Sequence, residues 1–177
     1  MKIITVNSAA DSFGLIADSA INLPGRPVFL PDIPEVPAWN ATFYLAVRIS
    51  RLGKTIREKF APRYFDRLSL AMRLLPVDAE GKAIDAIAAV SDFALTLGEW
   101  TDIPEGNFSV TANGHTLEVA GAGALICRAI ERLSRITTLK IGDILLLPLD
   151  IPAGEVSIGD RFEGSVGGEP LLNCRIR

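Results

Sequence analysis

The 177-residue chain is poor in the side chains that most catalytic devices use: it has one histidine, two cysteines, two tyrosines and two tryptophans. The one histidine, His115, follows Asn113-Gly114 in what reads as a hairpin turn, where a solvated residue is expected rather than a general base. A Ser-His-Asp or Cys-His arrangement therefore has no support. Cys127 and Cys174 lie far apart with no CxxC pair and no neighbouring histidine, which argues against zinc and for two reduced thiols. There is no complete GxxxxGK[ST] phosphate loop, because Gly53-Lys54-Thr55 has Arg48 where the first glycine would stand, and there is no GxGxxG after a strand and no His-Glu-x-x-His. Lysine and arginine (18) are outnumbered by aspartate and glutamate (21), giving a net charge of -3 without a basic stripe, so nucleic acid and anionic lipid are excluded as bulk electrostatic partners. No segment reaches the roughly 18 to 20 apolar residues of a membrane span. Asn7, Ser8 and Asp11 interrupt the N-terminus before a signal-peptide core can form. These absences lead us to expect a soluble, cytoplasmic protein.

What is present is enough for a folded core. Hydrophobic residues make up 49% and charged residues 22%, with mean hydropathy +0.30, and the length suits one domain. Ile3 to Val6 reads as a buried strand. Leu23 to Trp39 carries Pro24, Pro27, Pro31, Pro34 and Pro37 and must run as extended loop. Phe43, Leu45, Val47 and Ile49 alternate on one face of a strand over Phe43 to Ser50, followed by a polar turn at Arg51-Leu52-Gly53-Lys54. Glu58 to Asp66 predicts about two helical turns, with Pro62 near the first. Leu68, Leu70, Met72 and Leu74 alternate with Ser69, Ala71, Arg73 and Leu75, again as in a strand.

Phe108 to Thr111 and Thr116 to Val119 flank an Asn-Gly pair, a strong hairpin signal. Ala122 to Ile136 predicts an amphipathic helix, with Leu125, Ala129, Ile130 and Leu133 opposite Arg128, Glu131, Arg132 and Arg135. Gly121-Ala122-Gly123 ahead of it reads as close packing rather than as an anion site. Ile144 to Leu147 is an apolar strand, and Arg161 to Val166 with Leu171 to Ile176 forms a closing hairpin around Gly167-Gly168. The Ile-Gly-Asp triplets at 141 to 143 and 158 to 160 read as two similar turns into strands. The acid pairs Asp78/Glu80 and Asp102/Glu105 read as solvated surface. The class is α+β and strand-dominated, a twisted, partly closed sheet assembly.

Three segments in order, FYLAVRISRLGKTIREKFAPRYFD from Phe43 to Asp66, SRITTLKIGDIL from Ser134 to Leu145 and VSIGDRFEG from Val156 to Gly164, resemble the fumarylacetoacetate hydrolase family in its compact form without the larger N-terminal domain. Weaker matches at Met1 to Val6, Pro27 to Leu30 and Lys82 to Phe93 extend the resemblance over most of the chain. The resemblance implies a mixed β-sandwich roll of the family's C-terminal-domain type over 1-177, with 1-40 as an N-terminal strand and Pro-rich loop arm. It also implies hydrolase, decarboxylase or isomerase chemistry on β-keto or acylpyruvate acids, with Mg2+, Mn2+ or Ca2+ held by two glutamates and one aspartate.

In the register of the resemblance those ligand positions fall on Thr42, Tyr44 and Arg73, so no metal is expected to bind in the family manner. The family's acid-base histidine falls near Phe13, its Gly-Thr-Pro on Pro148-Leu149-Asp150 and a pocket lysine on Pro31, while Lys82 and Asp85 survive in a shortened lid segment. Two accounts stay open. Either the site residues have drifted and Arg73 is an ordinary strand charge, or the Arg73 guanidinium, with Tyr44, Lys82 and Asp85 as further pocket candidates, still holds a small organic acid. The reading is a catalytically inactive or impaired relative, the alternative being an active metal-dependent enzyme. The apolar run Ile144 to Leu149, with Ile151, predicts a homodimer.

Overall fold

The computed structural model describes residues 1–7, 9–152 and 154–177, and the side chain of residue 85 lies outside what it describes. The strands are β1 (Ile3–Val6), β2 (Phe13–Ile16), β3 (Ile21–Asn22), β4 (Ala38–Ile49), β5 (Phe65–Val77), β6 (Leu95–Leu97), β7 (Phe108–Ala112), β8 (His115–Val119), β9 (Ile144–Pro148), β10 (Arg161–Val166) and β11 (Glu169–Arg175). The helices are α1 (Asp85–Val90) and α2 (Ala122–Ile136). A seven-stranded mixed sheet, in the order β2-β1-β9-β4-β5-β6-β3, packs on a four-stranded sheet, β11-β10-β7-β8. This is the strand-dominated α+β class read from the residues, in the sandwich-roll form that the resemblance implies.

The alternation rule accounts for the main core. Phe43, Leu45, Val47 and Ile49 of β4 meet Leu68, Leu70, Met72 and Leu74 of β5, all within 2% of full burial. The four-stranded sheet closes over them with Val110, Phe162, Val166, Leu172 and Cys174. The helix α2 has the predicted bounds and buries Ile126, Ala129, Ile130 and Leu133 in the same cluster. Leu125, expected on that face, is only half-buried. Ile126 takes the core place instead. Asn113 and Gly114, at φ 50° and 77°, form the two-residue turn between β7 and β8 that the Asn-Gly pair predicts.

Several expectations change. Glu58–Arg63 is a 3-10 helix rather than two α turns, with Pro62 inside it, because Phe65 and Asp66 already belong to β5. The strand β4 starts at Ala38, immediately after the last proline of the loop, five residues earlier than predicted. The first 40 residues, expected as an arm, place β1, β2 and β3 in the large sheet. The run Ile144 to Leu147 is buried on both faces within one chain. Leu145 and Leu147 face the main core, and Ile144 and Leu146 face a second cluster with Ile3, Ile16, Ala46, Ala71 and Leu95. Its apolarity is therefore accounted for without a partner.

The two Ile-Gly-Asp triplets form the same turn. The Asp143 carboxylate accepts from the Lys140 backbone N–H and Asp160 from that of Ser157, each at 2.8 Å. Gly142 and Gly159 supply the positive φ, 86° and 102°. Asp143 does more, because it is fully buried and also accepts from the Lys2 backbone N–H at 2.8 Å and pairs with the Lys2 ammonium at 2.7 Å. Burial pushes its pKa up, but the Lys2 ammonium and the backbone N–H groups of Lys140 and Lys2 outweigh it and hold the carboxyl below its ordinary value.

A depressed carboxyl stabilises the fold above its unfolded pKa of about 3.9 and loses that contribution as pH falls through the folded value. Asp143→Asn is therefore expected to cost about 3 kcal/mol at pH 7, since it leaves the Lys2 ammonium without its charged partner. Its stability should also fall less steeply than that of the native chain as the pH is lowered below about 4. Urea unfolding across that range measures both.

Candidate functional site

The second face of the large sheet carries the positions singled out by the resemblance. Alternation puts Thr42, Tyr44, Ala46 and Arg48 of β4 on this face. Pairing aligns Thr42 with Arg73 and Arg73 with Leu95, then Pro148 with Tyr44, Tyr44 with Ala71 and Ala71 with Leu97, then Leu146 with Ala46 and Ala46 with Ser69. Thr42 and Arg73 are thus direct cross-strand neighbours, with Tyr44 one same-face step along β4. The three positions that the resemblance singles out are thus neighbours on one face of the sheet.

Their surroundings are a second core rather than an open pocket. Ala46, Ala71, Leu95 and Leu146 are fully buried, and Ser69 among them is too. Tyr44 is half-buried against this cluster. The Thr42 hydroxyl donates to the Arg73 carbonyl at 3.3 Å. Arg73 is 9% exposed.

The Arg73 guanidinium does a specific structural task. The segment after β5 turns back at Asp78, whose carboxylate accepts from the backbone N–H groups of Glu80 and Lys82, and then forms α1 over this face. A helix of six residues leaves its last carbonyls without intrahelical donors. Ile87 O accepts from the Ser91 N–H and hydroxyl, Ala89 O from the Ala17 N–H at 2.9 Å, and Ala88 O from Arg73 Nη2 at 2.7 Å. A cation at a helix C-terminus is also electrostatically favoured. Arg73 Nε is buried without a partner among the described residues.

The remaining candidates do not converge on it. Lys82 is exposed on the 78–84 turn, and its described hydrogen bonds are made by its backbone. Asp85 begins α1, and its side chain lies outside the described residues. Pro148, Leu149 and Asp150 line a separate, mainly apolar cleft of about 240 Å3 with Leu45, Leu117 and Leu125. His115 is exposed in its hairpin. None of the five clefts described is lined by Thr42, Tyr44, Arg73 or Lys82.

Sequence reasoning missed the charged end of the same face. Arg48 binds both oxygens of Asp66, at 3.0 and 2.9 Å, and lies 5.8 Å from the Trp100 ring, while Arg67 pairs with Asp102 at 2.6 Å. Hydrogen bonding to Arg48 holds the Asp66 carboxyl below its usual range. No motif marks these pairs, since each depends on register between strands and loops.

The donor set does not fit a divalent cation. Hard cations need several anionic oxygens at short range, whereas the three positions offer a hydroxyl already donating, a phenol and a guanidinium. Among the described residues no group of three or more His, Cys, Asp or Glu side chains is placed to hold a metal.

No protein-family model and no curated protein matches the sequence. Solved structures do match it by shape. A 2-hydroxyhepta-2,4-diene-1,7-dioate isomerase from Mycobacterium marinum superposes with TM-score 0.79 at 20% identity, over 99% of this chain and 73% of that one. A protein assigned to the fumarylacetoacetate hydrolase family from Yersinia pestis CO92 gives 0.75 at 20%, over 99% and 92%. A fumarylpyruvate hydrolase from Pseudomonas aeruginosa, solved with Mn2+ and pyruvate, gives 0.73 at 15%, over 99% and 89%.

If Arg73 caps α1, Arg73→Met should lower stability by about 1–3 kcal/mol, because it orphans a buried carbonyl. The loss should be local, with faster amide hydrogen exchange in residues 85–94. An unchanged melting temperature and unchanged exchange there would mean the guanidinium is not part of the helix cap.

Proposed function

We propose, from the premise that this chain has the fold of the fumarylacetoacetate hydrolase family, that it is a relative without metal-dependent catalysis, whose ligand positions have been absorbed into the scaffold. The observation that carries this reading is Arg73. A buried guanidinium stands directly across from Thr42, where the resemblance calls for a carboxylate, and it is engaged with the helix that covers the face. A fixed positive charge beside two neutral hydroxyls repels a divalent ion instead of collecting one. Chemistry that relies on a metal to polarise a keto or enolate oxygen has no substitute of equal strength among these residues.

A small organic acid is the ligand this face would take. Arg73 Nε is a buried donor without a partner, and Tyr44 lies on the adjacent strand of the same face. Such an acid would enter only by displacing Ala88 from the guanidinium.

The test is a Mn2+ titration followed by electron paramagnetic resonance, beside turnover assays with acylpyruvates and oxaloacetate. The native chain should show no stoichiometric site and no turnover above background with added metal. The variant carrying Thr42→Glu, Tyr44→Glu and Arg73→Asp should gain a single Mn2+ site if it folds. One Mn2+ site in the native chain, with a metal-dependent rate that survives removal of contaminating enzyme, would overturn the proposal.

A further inference from the structure

Where β11, the edge strand of the four-stranded sheet, meets the end of β6 there is a cleft of about 480 Å3 that none of Thr42, Tyr44 or Arg73 lines. One wall is the β10–β11 hairpin, the other the loop Pro24 to Pro27, with Leu97, Gly98 and Glu99 at the base. Four arginines line it, Arg26, Arg161, Arg175 and Arg177, against the single acidic side chain of Glu99. In a chain of net charge -3 this is a local reversal of sign.

Two observations make it more than a charged surface. First, Arg161 and Arg175 are direct cross-strand partners in the β10–β11 ladder. Like charges placed opposite each other destabilise a hairpin. The offset within the chain is weak: Glu163 lies 3.7 Å from Arg161, and among the described residues Arg26, Arg175 and Arg177 make no ion pair. An anion between the two guanidinium groups removes the repulsion.

Second, the walls are tied together by backbone. The Asn22 side chain, 4% exposed, donates from Nδ2 to the carbonyls of Arg26 and Pro27, both at 3.3 Å. Val28 N–H donates to Arg175 O at 2.9 Å, Arg177 N–H to Val28 O at 2.7 Å and Glu99 N–H to Leu171 O at 2.8 Å. Gly98 allows the close approach, since a Cβ there would run into the Leu171 carbonyl. The backbones of the rim loop and the hairpin, which carry these arginines, are thus held at a fixed relation.

We propose that this cleft binds a small organic polyanion, a molecule with two or more carboxylate or phosphate groups. Arg161 and Arg175 take one anionic group and Arg26 on the opposite rim takes another. Guanidinium forks match carboxylate and phosphate alike, so the arginines set the charge of the ligand. The volume suits a small metabolite. Pro24, Pro27 and Leu97 offer a short apolar surface to its carbon body. The site shares only Leu97 with the Arg73 face and none of Thr42, Tyr44, Arg73 or Lys82, so it stands or falls independently of the lost-metal reading.

Calorimetric titration of the full chain at low salt tests it, with citrate as the polycarboxylate probe and inorganic pyrophosphate as the phosphate probe. Binding of either, at one site and weakened by salt, is expected. If only one binds, it identifies the anionic group. Arg175→Glu and Arg26→Glu should each weaken binding about tenfold or more. Arg128→Glu, on the exposed side of α2, should leave it unchanged. Arg175→Glu should also raise the melting temperature of the unliganded protein, because it turns a repelling pair into an attracting one. Failure of both probes to bind at millimolar concentration, or equal weakening by Arg128→Glu, would overturn the proposal.

Discussion

Burial of the central strands β4, β5 and β9 on both faces is the constraint from which the rest of the molecule follows. A half-solvated antiparallel sheet can alternate apolar and polar residues, but a strand covered on both sides must satisfy every position internally. The large sheet meets this with Phe43, Leu45, Leu70 and Leu145 toward the four-stranded sheet and Ala46, Ala71, Leu95 and Leu146 away from it. Small residues on the second face let the N-terminal segment and α1 lie close against it. A charge in this layer must find a partner inside the protein.

The structure contains two solutions to that demand. Asp143 is fully buried, and its charge is met by two backbone N–H groups and the Lys2 ammonium, which fastens the start of β1 to the turn into β9. Arg73 is met by one backbone carbonyl, and Nε is left without a partner. The first is a completed pair that holds the sheet together. The second is partly satisfied, which is the more expensive state for a charged group in a low-dielectric layer. Its compensation is the cap on α1.

What was legible in the sequence follows the same division. The alternation over Phe43 to Ser50 and over Leu68 to Leu75, the bounds of α2 and the Asn-Gly hairpin could be read because each is decided by residues close together in the chain. β2, β3 and β6 were missed: two to four residues long, they are strands only because a neighbour pairs with them. The reach of Asn22 to two carbonyls and the Arg48–Asp66 pair left no pattern for the same reason. At the candidate site, the resemblance supplied the register that makes Thr42 and Arg73 neighbours. The partner of Arg73 was invisible because it is a main-chain carbonyl of an alanine, which no residue type signals.

That partner also couples the three positions to which the resemblance assigns metal ligands. With a cation present, carboxylates at 42, 44 and 73 would share its charge. Without one, three acids on adjacent strands of a buried face repel each other across cross-strand distances of about 5 Å. An acid at 73 alone sets a carboxylate against the Ala88 carbonyl, an acceptor facing an acceptor. Acids at 42 and 44 alone would pair with Arg73, giving an ion cluster in place of a metal site. A metal site on this face would need acids at all three positions together with a cation, whereas the present hydroxyls and guanidinium need none. The neutral hydroxyls at 42 and 44 and the capping arginine at 73 form one internally consistent set, which any change toward metal binding has to replace together.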